Sequence, residues 1–175
     1  MCDVRLFRSA WMDYQMAKSI WEHPYNDEMY LNGAAYHLQQ AVEKTLKGSL
    51  ECVGITVPNT HKISKLVEMV YNHGANVQIT EWLDDHSEML SEWEAETRYN
   101  MDFVVEKRKL DRAIVEVKNF LIHNGIQEEL RDELCDNEVK ERLLQCIPEE
   151  RRNCSDFELN CYYLMFKKKV EINCT

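Results

Sequence analysis

The chain has 175 residues, of which 45% are apolar, 10% aromatic and 30% charged, a composition that folds and excludes a disordered polymer. With 5 Gly and 3 Pro it lacks the turn residues that sandwiches and barrels need every ~8–12 residues. With 21 basic against 31 acidic residues, net −10, it is not built to coat nucleic acid broadly. It has no run of ~18 apolar residues, and the charged opening MCDVRLFRSAWMDYQ offers no apolar signal stretch. A cytoplasmic protein without membrane contact is therefore expected.

The first predicted helix runs from about Asp3 to Trp21, with Leu6, Phe7, Ala10, Trp11, Tyr14, Ala17 and Trp21 at helical spacing. His23-Pro24-Tyr25-Asn26 breaks it, and Asn26 or Asp27 is placed to cap the next. That second helix has Leu31, Ala34, Leu38, Ala41, Val42, Thr45, Leu46, Ser49, Leu50 and Val53 on one broad face. At ~100° per residue, Gln40, Glu43, Lys44 and Lys47 gather on the other side. Gly54 and Pro58 end it.

A third helix is expected from Asn59 or Thr60, with His61 in its first turn and Ile63, Leu66, Val67 and Val70 inward, stopping at Asn72-His73-Gly74. A fourth begins near Thr80 with Trp82, Leu83, Leu90 and Trp93 as its apolar content. Residues 97–102 form a break, and Leu110, Ala113, Ile114, Val117, Phe120 and Leu121 mark a fifth helix closed by Asn124-Gly125. Beyond lies a charged stretch with a thin apolar line through Ile126, Leu130, Leu134, Leu143, Leu144 and Ile147, stopped by Pro148. Ser155 and Glu158 suit a capping box for a last helix, although Cys161 to Phe166 also fits a strand. The fold expected is an all-α, up-and-down bundle of four or five helices over residues 1–125, with a mostly helical extension over 126–175.

Between Leu66 and Thr97 there is no Lys or Arg, while Glu81, Asp84, Asp85, Glu88, Glu92, Glu94 and Glu96 accumulate. This is either a solvated helix face or an electrostatic partner for a basic protein or a basic patch on a second copy. The seven cysteines include no CxxC pair and are irregularly spaced, which argues for reduced thiols and against a zinc module. Nucleotide-loop patterns, GxSxG and HExxH are absent. A di-iron bundle needs Glu-x-x-His, but Ile20, Ala34, Pro58, Val70, Leu83 and Phe120 stand three before the histidines. No cofactor and no metal are expected.

The remaining polar candidates are the second-helix residues, His61, and Arg98 with Tyr99 in the break. One reading makes them solvent-facing residues with local pairs such as Glu43–Lys47 at i,i+4.

The run from Ala34 to Lys47, with its paired glutamines and Gln-Gln-x-x-Glu-Lys-x-x-Lys pattern, resembles the second-helix signature of the HEPN family, nucleotide-binding domains of higher eukaryotes and prokaryotes. His61 with Leu66, Glu96-Thr97-Arg98-Tyr99, and the stripe from Leu110 to Leu121 resemble later family features in the same order, over roughly Arg5 to His123. The resemblance implies a helical bundle, often a homodimer, beside a small nucleotidyltransferase and sometimes in a toxin–antitoxin pair. Many members are metal-independent ribonucleases with an Arg-x4–6-His motif at the dimer interface, where His moves the 2′-OH proton and Arg stabilises the phosphorane.

Here the window after Arg98 holds Phe103, Val104 and Val105, and the nearest substitute is Lys118-x4-His123, without the bidentate fork of Arg. The expectation is thus a binding or accessory module, a homodimer that takes a nucleotide or phosphate and pairs with a nucleotidyltransferase. Gln40, Glu43, Lys44, Lys47, His61, Arg98 and Tyr99 are its ligand residues, with Tyr99 or Tyr36 as a stacking face. Within the family the alternative is an internal network in which Glu43 neutralises Arg98 or Lys47. Two other readings remain: a divergent ribonuclease using Lys118 and His123, or Arg98 with another base, and a purely structural assembly module.

Overall fold

A computed structural model describes residues 4–23, 28–56 and 59–171. Among them are eight α-helices and two short 3-10 turns, with no strand. Residues 24–26 of the predicted break, the Asn26 or Asp27 cap and the Pro58 stop lie outside the described residues.

Helices α1 (Val4–Glu22) and α2 (Met29–Cys52) form an antiparallel hairpin. The pairing is close because Gly48 has no side chain: a Cβ there would stand 3.1 Å from the Phe7 ring and 3.3 Å from Leu6 Cβ. At the other end, Gly33 faces Ile20. α2 is the central helix and is buried nearly all round, its polar side included.

α3 (Ile63–His73) starts later than expected, so His61 precedes the helix instead of sitting in its first turn. The reason is a cap supplied from elsewhere. The Ile63 N–H donates to Ser91 Oγ at 2.8 Å, whereas Thr60 Oγ1 is occupied by the Lys62 N–H. Gly74 ends α3 in the left-handed region, at φ 60.

The predicted fourth helix is two helices, α4 (Glu81–Asp85) and α5 (Ser87–Tyr99), separated at His86. His86 Nδ1 donates to Trp82 O at 2.9 Å, and Ser87 Oγ to Asp84 O at 3.0 Å. The His86 N–H also reaches Trp82 O at 3.0 Å, so this carbonyl accepts from both the backbone and the side chain of His86 at the junction. α5 then continues through Thr97, Arg98 and Tyr99, which the sequence places in a break; the Arg98–Glu94 pair at i,i+4 supports this last turn. α6 (Lys107–His123) ends where expected, with Gly125 at φ 73.

In the extension, Asp136 caps α7 (Asn137–Cys146) by accepting from the Glu138 N–H at 2.8 Å. The Ser155–Glu158 capping box is formed, with Ser155 N–H donating to Glu158 Oε2 at 2.9 Å and Glu158 N–H to Ser155 Oγ at 3.3 Å. It opens α8 (Asp156–Glu171), so Cys161 to Phe166 is helical and not a strand. α8 serves two cores. Phe157, Cys161 and Leu164 enter the main core with α1, α2 and α6, while Leu159, Tyr162, Tyr163 and Val170 close a second one with Leu134, Leu143 and Ile147. Arg8 links α1 to this region, lying 3.9 Å over the Phe157 ring and pairing with Glu128 at 2.8 Å.

Three buried asparagines fasten the connections. Asn32 accepts from the Val105 N–H and donates to Phe103 O. Asn124 does both to Gln78, and Asn160 holds Gln127, Glu129 and Arg131. Cys135, Cys146, Cys154 and Cys161 are free thiols, but Cys52 is disulfide-bonded, which departs from the expected reduced set. No helix among the described residues is long and apolar enough to cross a membrane.

Candidate functional site

The polar residues of α2 meet two buried carboxylates, Glu43 on α2 itself and Asp13 on α1, at 4% and 7% exposure. Neither is solvated, so each needs charged or hydrogen-bonding partners.

Glu43 collects Gln39 Nε2 at 2.7 Å, Lys47 Nζ at 2.8 Å and His61 Nδ1 at 3.1 Å. Gln40 donates to Gln39 Oε1 at 2.7 Å, and Gln39 also reaches the His61 carbonyl at 3.2 Å. The i,i+4 spacing of residues 39, 43 and 47 sets the helix part of this network. The segment before α3 adds His61, so the paired glutamines tie α2 to that segment.

Asp13 collects the other set. Lys44 Nζ pairs with Asp13 Oδ2 and donates to Ser9 Oγ at 2.9 Å, and His37 Nδ1 lies 3.0 Å from Asp13 Oδ1. Burial alone raises the Asp13 pKa, but the hydrogen bonds from His37 and Lys44 outweigh it and hold the carboxyl below its ordinary value.

Arg98 is held separately. It pairs with the buried Glu94 one turn earlier, which raises its pKa, and it lies 5.2 Å over the Tyr99 ring. Tyr99 itself is exposed.

The residues expected to converge on one phosphate therefore occupy three places. Lys47 and His61 share Glu43, Lys44 is on Asp13, and Arg98 is on Glu94. Of the pairings expected for an internal network, Glu43 makes the one with Lys47 and not the one with Arg98. Lys118 is exposed in the middle of α6, and His123 is exposed in its last turn. Five helical residues turn the chain by about 140°, so these two project from different sides. No group of three or more His, Cys, Asp or Glu among the described residues is arranged to hold a metal.

Asp13, His37 and Gln39 are not among the sequence-predicted site residues. A signal for Asp13 was present: it sits three after Ala10 and four before Ala17, inside the apolar stripe of α1, where a lone carboxylate needs a partner.

The family model of the HEPN domain matches residues 4–123. The chain belongs to the HEPN family. The matched segment ends with the last residue of α6, and it contains both carboxylate networks. The HEPN segment thus carries α1 to α6, and α7 and α8 follow it. No curated protein and no solved structure matches the chain.

Proposed function

We propose that this chain is a non-nucleolytic HEPN module that works by binding: it pairs with a second copy of itself and serves as an accessory to a nucleotidyltransferase-type partner. The observation that carries this reading is the pairing of Lys44, Lys47 and Arg98 with Asp13, Glu43 and Glu94. Each cation that a phosphate-processing centre would use is opposed by its own largely buried carboxylate. The networks brace α1, α2 and the segment before α3, and they leave the outer surface for partners.

The surface of α4 and α5 supports docking of a basic partner. Glu81, Asp84, Asp85, Glu88 and Glu92 are exposed there, and none of them forms an ion pair among the described residues. The test combines light scattering of the purified chain with co-purification of a nucleotidyltransferase encoded beside it. A dimer, and a complex weakened by Asp84→Lys, Asp85→Lys and Glu88→Lys together, is the expected result. A monomer that holds no such partner contradicts the proposal.

A further inference from the structure

Where α7 and α8 meet the end of α2, a cleft of about 270 Å3 opens. Cys52 closes it from the last turn of α2, and Cys146 and Pro148 reach it from the end of α7 and just beyond. α8 supplies Tyr162, Met165 and Phe166. Tyr162 and Phe166 stand one helical turn apart, and their rings stack with centroids 6.5 Å apart and planes 15° from parallel. Met165 packs against both cores, so the cleft lies on the seam between them. Apart from Cys52, its wall is made by residues beyond 123, where the HEPN match ends.

Two polar groups in this apolar lining have no partner. Pro148 opens the 3-10 turn Glu149–Arg151, which the Arg151 N–H closes on Pro148 O at 2.9 Å, and the turn carries Arg151 to the rim of the cleft. The neighbouring Arg152 is already committed: its Nε donates to Leu144 O at 2.9 Å and to Ile147 O at 3.1 Å, and its Nη1 lies 3.6 Å from Glu149. Arg151 is exposed, and its side chain makes no hydrogen bond or ion pair among the described residues. Tyr162 is buried, at 7% exposure, yet its hydroxyl makes no hydrogen bond among them either. Every fully buried side-chain nitrogen or oxygen of the described residues has a partner. The Tyr162 hydroxyl is therefore not sealed in, and it is reached from the cleft that Tyr162 lines. A phenol so nearly buried needs a partner once that cleft is filled.

We propose that this cleft binds a small aromatic carboxylate, a planar ring that carries an acid on a short side chain. The ring packs on Tyr162 and Phe166 and on the sulfurs of Met165 and Cys146. The carboxylate takes the guanidinium fork of Arg151 and the hydroxyl of Tyr162. An acid without a ring leaves the apolar wall uncovered, and a neutral ring leaves Arg151 unanswered. A straight aliphatic acid gains burial but not the ring–ring and sulfur–ring contacts. The volume lies at the small end of ligand cavities and suits one such molecule. This site is separate from the Asp13 and Glu43 networks and from the acidic surface of α4 and α5. It does not depend on the dimer or partner proposed above.

Calorimetry on the full chain tests it, without reductant so that the Cys52 disulfide stays intact, using indoleacetate, phenylacetate, indoleacetamide, acetate and octanoate. At least one of the two aromatic acids is expected to bind roughly tenfold tighter than the amide, acetate or octanoate. Arg151→Gln is expected to weaken that binding about tenfold and to leave the amide unaffected. Tyr162→Phe, which keeps the ring and removes only the hydroxyl, is expected to weaken it about threefold. A thermal melt confirms that the variants fold, and Arg151, being exposed, can be replaced without disturbing either core. Any of three results overturns the proposal: no heat with either aromatic acid at millimolar concentration, the amide, acetate or octanoate binding as tightly as they do, or either folded variant binding like the unchanged chain.

Discussion

Lys44 reaches across from α2 to Asp13 on α1, and the two close an ion pair inside the hairpin. A cation that the sequence offers to a phosphate is thereby committed to holding two helices together. Breaking such a pair on one side leaves an uncompensated charge. Asp13→Asn is expected to lower stability by roughly 2–4 kcal/mol, and Lys44→Met by a smaller amount because Lys44 is partly exposed. The double variant should lose less than the sum, with a coupling of about 1–2 kcal/mol in urea unfolding. Strict additivity contradicts the pairing.

Asp13 also predicts a pH dependence. Its folded pKa lies below the ordinary value, so the unfolded chain binds its proton first as the solution is acidified. The stabilisation is therefore fully present above the unfolded carboxylate value of about 3.9 and is lost as pH falls through the lower folded value. The stability gap between the unchanged chain and Asp13→Asn should narrow as pH falls below about 4. A gap of constant size from pH 6 down to pH 2, measured by chemical denaturation, rules out this role.

Much of the helical layout was readable because it is local. The stripe of α2, the stops at Gly74 and Gly125, and the Ser155–Glu158 box depend on residues within a turn or two of one another. The misplaced boundaries have other causes. α3 begins at Ile63 because Ser91, 28 positions away, supplies its cap, and no Gly or Pro in the sequence marks the turn at His86 that divides α4 from α5. The candidate site was half legible. Glu43 and Lys47 show their pairing by spacing, but nothing in α2 alone announces that Asp13 of α1 will cover its Lys44 side or that His61 will cover Glu43. Which side of an amphipathic helix is solvated is settled by the neighbour that packs on it.

Gly48 marks the closest approach of α1 and α2. A β-branched side chain there meets the fully buried Phe7 ring, which has no free space to enter. Gly48→Val is expected to destabilise the chain by about 2–3 kcal/mol, despite replacing a glycine within a helix. Unchanged or increased stability in thermal or urea unfolding contradicts the packing described.

Asn160 is fully buried and fixes the connection into the extension through the carbonyls of Gln127 and Glu129 and the N–H of Arg131. Asn160→Ala leaves these backbone groups without partners, at an expected cost of roughly 2–3 kcal/mol. The Arg131 amide should exchange its hydrogen faster than in the unchanged chain, while amides in the middle of α2 keep their protection under native conditions. Unchanged exchange at Arg131 shows that other contacts set the connection.

The central claim is that the α2 cations form an internal brace in a HEPN module that binds without cutting. The most direct measurement is cleavage of a labelled single-stranded RNA by the purified full chain in EDTA, compared with His61→Ala and His123→Ala. The account predicts no cleavage above the buffer control for any of the three. Cleavage by the unchanged chain that disappears with either histidine substitution contradicts it.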